Sequence, residues 1–367
     1  MKRIHLYILL AFLPLVFISC KKSGGADPAP EPPAPPPPPV NNPIIPPTVY
    51  TGYSLLWNDE FDGSQIDVSK WNFETGTGVD GNFGTGQLDR ARPDNATIAG
   101  GVTGASGSCL AIVTKKEAYV DRNYTSARLN TKDKGAWGPG HRIEARVWAR
   151  DVRYKGQGFA FWMMPAEIPA GQTSLMWPQG GEIDIMEYVG TIPNHNLGSV
   201  HYAWSWENNQ YQSWNHGHKG GYYSYEEKQV PAVNPAYGGW PAPITDLNTG
   251  SGGFHIYRID WYADRMEFAL DDQVYHIHYF NDGDAFNNGV PDGQDQDAKT
   301  MISGKRTFVS EYSHHFSEWQ PFSHKFFILL TAGVGGNDNQ TYGGAIVSNA
   351  VFPCTTFIDW VRVYKRN

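Results

Sequence analysis

The chain is short of the features that mark several large protein classes. It has only three cysteines among 367 residues, and neither a phosphate-binding loop nor a dinucleotide-binding fingerprint occurs. Only 18% of its residues are charged and the net charge is −8, which argues against nucleic acid as a partner because phosphate binding needs a basic face. No long stretch has the 3.6-residue periodicity of an amphipathic helix. These absences favour a β-rich protein that is held together by its core.

The long apolar run lies at the N-terminus. Met1-Lys2-Arg3 is basic, residues 4–18 are almost all apolar and Ser19-Cys20 follows, which together predict a signal peptide over residues 1–20. The run of about 15 residues is shorter than the roughly 20 that span a bilayer, although a membrane anchor is the alternative. Phe17-Ile18-Ser19-Cys20 resembles a bacterial lipobox. That resemblance implies a lipid on Cys20, export, and anchoring at the outer membrane or cell surface.

The residues after the signal peptide predict a spacer and one large domain. Residues 21–47 are dominated by proline and alanine, a composition that favours extended polyproline II and cannot form a core. Residues 48–367 then form a body that is long for one domain but normal for a large all-β sandwich. If Cys20 carries the lipid, Cys109 and Cys354 remain, and they either form a disulfide or stay two buried thiols.

Short runs rich in β-branched and aromatic residues, bounded by Gly, Asn, Asp and Pro, fill the body. They predict strands over Cys109–Thr114, Arg142–Trp148, Gly158–Met164, Ile183–Val189, Phe254–Trp261, Arg265–Leu270, Gln273–Tyr279, Lys325–Ala332 and Thr356–Tyr364. Many short strands indicate a sandwich or a barrel. Residues 203–253 and 281–320 read as long loops, which are usually functional or disordered. The first is rich in aromatic residues, including Trp204 and Trp206, and disorder is depleted in these.

Three acids lie within six residues on an otherwise apolar strand, Glu182-Ile183-Asp184-Ile185-Met186-Glu187. Alternation places Glu182 and Asp184 on one face. Glu187 joins them if a β-bulge near Ile185-Met186 adds one residue.

Such a cluster has a chemical use. Neighbouring carboxylates push their pKa values apart, so one stays ionised while another keeps a proton. Cleavage of a glycoside with retention needs such a pair. A solvated acidic face or a calcium site is the alternative reading.

The acid motif resembles the catalytic sequence of glycoside hydrolase family 16 in its bulged form, and the segment around it is most similar to laminarinases, which are endo-β-1,3-glucanases. Six further segments carry the same resemblance in the same order: Trp57–Gly63, Tyr124–Leu129, Arg142–Arg146, Phe161–Pro165, Phe254–Trp261 and Phe357–Tyr364. The resemblance implies an all-β jelly roll of two curved antiparallel sheets with a cleft. It also implies a monomer that cuts polysaccharide and needs no cofactor for catalysis.

The resemblance assigns roles to individual residues. Glu182 is implied as nucleophile, Asp184 as its helper and Glu187 as acid/base. Substrate contacts are implied for Arg128, Trp162, Trp177 and His201, and the aromatic segment adds Trp204 and Trp206 as candidates; a surface histidine is the alternative for His201. A structural Ca²⁺ away from the cleft is implied at Glu60, at a backbone carbonyl near Gly101, and at Asp359, with ordinary strand-end acids as the alternative.

The chain also departs from laminarinases. Gly156–Trp162 lacks the usual Trp-Pro, Gln87 stands where Glu is commoner, and both loop-like segments are long. Three functions therefore stay open: an endo-β-1,3-glucanase, the same chemistry on a β-galactan such as agar, porphyran, carrageenan or mucin-type chains, and a non-catalytic glycan-binding lipoprotein. The intact acid trio argues against the last, because a binding protein has no need to keep three repelling carboxylates together.

Overall fold

The structure is a computed structural model. It describes residues 42–167, 177, 180–190, 196–203, 206–207, 210–211, 216–223, 253–271, 273–279, 300–302, 305–309, 321–336 and 343–367. The signal peptide, Cys20, most of the predicted spacer and Trp204 lie outside the described residues. Within the described part, no helix has the length and apolarity of a membrane span.

The described residues are almost entirely strands and connections. The strands are β1 (Tyr53–Asp59), β2 (Asn72–Glu74), β3 (Asp89–Ala91), β4 (Ala96–Ala99), β5 (Cys109–Tyr119), β6 (Arg122–Ser126), β7 (Arg128–Asn130), β8 (His141–Trp148), β9 (Gln157–Pro165), β10 (Glu182–Val189), β11 (Asn196–Ala203), β12 (Trp206–Glu207), β13 (Gln210–Tyr211), β14 (His216–Tyr223), β15 (His255–Trp261), β16 (Arg265–Leu270), β17 (Gln273–Tyr279), β18 (Thr300–Ile302), β19 (Lys305–Val309), β20 (Phe326–Val334) and β21 (Cys354–Arg366). Single 3₁₀ turns occur at Pro93–Asn95 and Pro321–Ser323.

Two large sheets form the body. One has seven strands in the order β14-β11-β10-β9-β20-β7-β2, and the other has twelve, with β15-β8-β21-β5 at its centre. The pairs are antiparallel except for β17–β19 and β3–β6. All nine strands predicted from the sequence are present, and the jelly-roll sandwich is confirmed.

The core lies between the two sheets and follows strand alternation. In β8, Ile143, Ala145 and Val147 are fully buried in the core, whereas Arg142 and Arg146 on the other face are partly exposed. Buried side chains of β9, β10 and β20 meet them from the seven-stranded sheet. Each fully buried large aliphatic or aromatic side chain contributes about 1.5–3 kcal/mol to folding, so this continuous core is what fixes the sheet that carries the acids.

The two segments predicted as loops contain strands. β12, β13 and β14 lie in the first, and β14 pairs with β11 at the edge of the seven-stranded sheet. β18 and β19 lie in the second, where β19 pairs with β17. The loop prediction was wrong at these strands. β14 reads HGHKGGYY, and three glycines without apolar alternation hide an edge strand from a pattern search.

Cys109 and Cys354 are both buried and free. Cys354 on β21 pairs with Thr114 on β5. Thr114 is five positions from Cys109 along the same strand. Five strand steps are about 16 Å, well beyond the Cα separation that a disulfide allows. Of the two readings, the structure therefore favours buried thiols.

The end of the predicted spacer contacts the body. The Asn42 side chain donates to the carbonyl of Val102 at 2.6 Å, and the backbone nitrogen of Ile45 donates to Ser106 Oγ at 2.6 Å. Among the described residues, contacts with the folded body are thus present at Asn42 and Ile45, before the predicted boundary at Thr48.

Candidate active site

The acid trio is on β10, and a β-bulge determines which face of the sheet its side chains occupy. Asp184 pairs with Trp162 on β9, whereas Met186 pairs with Phe161, so Ile185 is the extra residue. Ile185 and Met186 are both fully buried in the core. Two successive inward residues return Glu187 to the face of Glu182 and Asp184. The predicted bulge is confirmed.

Asp184 is the most buried of the three acids, 3% exposed. Ser199 on β11 donates to its Oδ2 at 2.9 Å, and Nε2 of His201 lies 3.1 Å from the same oxygen. Ser199 is opposite Asp184 and His201 is opposite Glu182 in the ladder. Ser199 was not predicted as a site residue, although strand alternation puts it on the same face as His201, two residues further along β11.

Glu182 lies between two groups that favour its ionised form. The Trp177 indole Nε1 donates to Glu182 Oε2 at 2.8 Å, and His201 Nε2 is 4.0 Å from Glu182 Oε1. The two rings are also in contact, with centroids 5.8 Å apart. The structure therefore brings Trp177 and His201 to Glu182.

Charges in this cluster are strongly coupled. Burial, then the charge of Asp184, raises the pKa of Glu182 to about 8, and His201 with the Trp177 N–H acts in the opposite direction. Burial lowers the pKa of His201, but its contacts with Asp184 outweigh this and raise that pKa to about 9. The imidazolium that results lies against Asp184 and Glu182.

Glu187 is in a different environment. Burial, and next the charge of Asp184, raises its pKa to about 8, and of the influences on it only the His201 charge favours ionisation. Unlike Glu182, it receives no indole hydrogen bond among the described residues. When the two carboxyls share one proton, the indole hydrogen bond and the nearby imidazole at Glu182 favour the charge on Glu182 and the proton on Glu187. That division suits a nucleophile at Glu182 and an acid at Glu187.

One ligand atom from each of Glu182, Asp184 and His201 lies within 4.8 Å of the other two, a spacing at which the three residues could hold a metal ion. An indole N–H points at Glu182, and Ser199 donates to Asp184. These donors occupy oxygens that a cation would need. These hydrogen-bond donors favour a hydrogen-bonded carboxylate cluster over a metal site.

Two further predicted substrate residues lie along the same sheet. Trp162 is partly exposed beside Asp184, and its Nε1 donates to Thr331 Oγ1 at 3.1 Å. The Arg128 guanidinium carbon is 5.8 Å from the centre of the Trp162 ring. Trp206 begins β12, but its side chain, like the whole of Trp204, lies outside the described residues. The predictions for those two tryptophans stay predictions.

The predicted calcium ligands have other partners. Both oxygens of Glu60 accept from Arg362, at 2.9 and 2.7 Å. One oxygen of Asp359 accepts from the backbone nitrogen of Ser106 at 2.6 Å and the other from Arg146 at 2.5 Å. A calcium ion needs several free oxygens, so these residues do not fit one without exchange of an arginine contact. At Gly101, near which a backbone carbonyl was implied as the third ligand, the backbone φ is 71°.

We therefore expect chelation to leave stability unchanged. Thermal unfolding in EDTA and in excess Ca²⁺ should give the same Tm, because guanidinium groups already neutralise Glu60 and Asp359. Arg146→Gln should lower Tm in either buffer, since it leaves the fully buried Asp359 with one partner fewer. A Tm that rises with Ca²⁺ and saturates would support the calcium site instead.

The raised pKa of Glu187 predicts the alkaline side of the pH profile. A carboxyl that keeps its proton up to about pH 8 can act as an acid below that pH. We expect kcat/KM to fall as the pH rises through about 8, because the proton on Glu187 is then lost. Initial rates between pH 5 and pH 10 measure this. Glu187→Gln should remove the alkaline limb; a limb that survives in that variant would belong to another group, such as His201.

No protein-family model matches the chain, but individual relatives do. A beta-glucanase from Rhodothermus marinus is 30% identical over 314 residues, which cover 85% of each chain. A glucan endo-1,3-beta-glucosidase from Cryptopygus antarcticus is 30% identical over 296 residues, 77% of this chain and 81% of the relative. The endo-beta-1,3-glucanase structure from Pyrococcus furiosus matches with a TM-score of 0.59 at 26% identity, and covers 85% of this chain and 94% of its own.

A more distant relative acts on a different backbone. The keratan-sulfate endo-1,4-beta-galactosidase of Sphingobacterium multivorum is 22% identical over an alignment that covers 100% of this chain and 68% of the relative. The beta-glucanase and the glucan endo-1,3-beta-glucosidase are thus 30% identical to this chain, whereas the galactosidase is 22% identical.

Proposed function

The chain belongs to glycoside hydrolase family 16, and from this premise we propose that it cuts β-1,3-glucan chains internally and with retention of configuration. The observation that carries the proposal is the arrangement on β10: one carboxylate held by Trp177 and His201, and a second carboxyl on the same face that lacks those contacts. Glycan hydrolysis with retention needs a nucleophile and a proton donor of this kind.

The reaction proceeds in two displacements. Glu182 attacks the anomeric carbon, its new C–O bond forms as the bond to the departing sugar breaks, and Glu187 gives its proton to the departing oxygen. Glu187, now ionised, takes a proton from water, and that water releases the sugar from Glu182. Each carboxyl ends the cycle as it began.

Asp184 and His201 position the nucleophile. Asp184 holds His201 at 3.1 Å, and the imidazolium faces Glu182, where it favours the ionised carboxylate. Asp184 is itself fixed by Ser199. The seven-stranded sheet thus orients Glu182, and the bulge places the carboxyl of Glu187 on the same face.

Digestion of a glycan panel tests the substrate and the mode of cutting. We expect laminarin to be cleaved to oligosaccharides of mixed size, because an internal cut gives a range of products. NMR of the first product should show the β-anomer. Agar, porphyran or carrageenan cleaved in preference to laminarin would support the galactan alternative. An initial α-product would show inversion and contradict the mechanism.

We also propose that Cys20 carries a lipid that holds the enzyme in the bacterial envelope, at the outer membrane or cell surface. The lipobox-like sequence and the proline-rich residues after it support this. Cys20→Ala should move the protein from the membrane fraction to the soluble fraction without loss of activity per molecule. A variant that stays in the membrane fraction would indicate an uncleaved apolar anchor.

A further inference from the structure

Arg128 is on β7, three strands away from the acid trio across the seven-stranded sheet. Three strand spacings are about 14 Å, so a chain that reaches Arg128 from the cleavage point has to be longer than one sugar. Arg128 is opposite Thr331 on one side and Glu74 on the other. Its side chain is only 9% exposed.

Glu74 accepts hydrogen bonds from Arg128 and from Asn130. Arg128 Nε donates to Glu74 Oε2 at 2.9 Å, and Asn130 Nδ2 donates to Glu74 Oε1 at 2.8 Å. Both carboxylate oxygens are therefore engaged. The two terminal nitrogens of Arg128 have no hydrogen-bond partner in the described part of the chain, so their N–H groups are available to a ligand.

Phe83 covers the same guanidinium from a loop. The Arg128 guanidinium carbon is 4.2 Å from the centre of the Phe83 ring, within the range of a cation–π contact. Phe83 has a φ of 55°, which is unfavourable for a residue with a side chain. The loop holds it there: the Phe83 nitrogen donates to Thr77 at 3.0 Å.

Two neighbours support this loop. A Cβ on Gly78 would lie 2.9 Å from the Phe83 ring, so only glycine leaves space for the ring at that position. Arg122, from the β5–β6 hairpin, donates to the carbonyl of Gly81. The loop is thus tied at several points to a conformation that puts an aromatic ring on Arg128.

We propose that Glu74 neutralises the charge of Arg128 and that Phe83 positions its guanidinium, so that Arg128 forms a neutral subsite, which accepts an uncharged sugar and rejects a sulfated one. This rests on the proposed function, since it names the sugars that the same cleft accepts. A free guanidinium would bind a sulfate through two parallel N–H groups. The Glu74 carboxylate cancels that charge and opposes a second anion, while the terminal N–H groups still donate to hydroxyls.

The test compares two chains with one backbone, laminarin and laminarin sulfate. Binding is measured by calorimetry at one fixed ionic strength, with full-length protein that carries Glu182→Gln so that neither chain is cut. We expect Glu74→Gln to shift the ratio of the two Kd values toward laminarin sulfate by about tenfold, the size of one charge-assisted hydrogen bond. An unchanged ratio in folded Glu74→Gln would overturn the proposal.

Two matched variants separate charge from shape. Glu74→Gln with Arg128→Gln restores neutrality and should abolish the shift. Phe83→Ala keeps both charges and should weaken laminarin binding by about tenfold with an unchanged ratio; a change in the ratio here would count against the charge argument. If Glu74→Gln does not fold, Arg128→Gln alone should shift the ratio toward laminarin, and failure to do so would also overturn the proposal.

Failure of the neutral subsite and failure of the proposed function give different results. If the parent protein does not bind laminarin at all, the β-1,3-glucan assignment fails. A gain of laminarin sulfate binding in Glu74→Gln that disappears with Arg128→Gln would still support the neutral subsite.

Discussion

Replacement of Glu182 by glutamine should lower kcat on laminarin by at least roughly several hundredfold, a loss of the size expected when a covalent or acid/base role disappears. The amide has the shape of the carboxylate but is not a nucleophile, so no covalent sugar intermediate forms. The Tm should stay the same or rise, because burial and the charge of Asp184 both oppose ionisation of Glu182 in the folded protein. Initial rates and thermal unfolding of the purified variant measure the two effects.

A control for this variant is Glu267→Gln, which makes the same chemical change on β16 of the twelve-stranded sheet, where Glu267 pairs with Arg265 at 2.8 Å. It should leave kcat unchanged. A Glu182→Gln protein that keeps more than a tenth of the activity would show that another group is the nucleophile.

Replacement of Glu187 by glutamine should divide the reaction into a fast and a slow step. On laminarin, kcat should fall by about 10²–10⁴, because the departing sugar hydroxyl needs a proton. An aryl glycoside with an acidic phenol leaves without that proton, so attack by Glu182 stays fast. Release of the sugar from Glu182 becomes slow, since Glu187 also activates the water. We expect a burst of phenol close to one equivalent per enzyme, followed by a slow steady rate.

The burst distinguishes the two acids. Glu182→Gln has no nucleophile and should show no burst on the same aryl substrate. Stopped-flow absorbance with both variants at known enzyme concentration makes the comparison. Equal losses on laminarin and on the aryl glycoside, without a burst, would contradict the acid/base role of Glu187.

The sequence was informative wherever the relevant contacts are local. The spacing of Glu182, Asp184 and Glu187 predicts the bulge, because alternation alone would turn Glu187 into the core. The nine predicted strands also start within two residues of the observed strands, and all but β5, which runs five residues further, end within two.

Contacts between residues that are far apart in the sequence could not be predicted from it. Arg362 meets Glu60 across 302 positions and Arg146 meets Asp359 across 213. Nothing local in the sequence marks these arginines as partners of the predicted calcium ligands. Phe83 was missed for a similar reason: its place beside Arg128 depends on a loop whose shape is set by glycines and by Arg122.

The bulge at Ile185 has a consequence for how the motif tolerates change in length. Because Ile185 and Met186 both face the core, loss of either leaves one inward residue between Asp184 and Glu187, and regular alternation then keeps all three acids on the cleft face. The cost is a cavity in the core, about 2–5 kcal/mol for a large aliphatic side chain, and no acid is turned inward. A homologous protein can therefore lose or regain one residue at this point. The length of the motif changes, but its three acids stay on the cleft face.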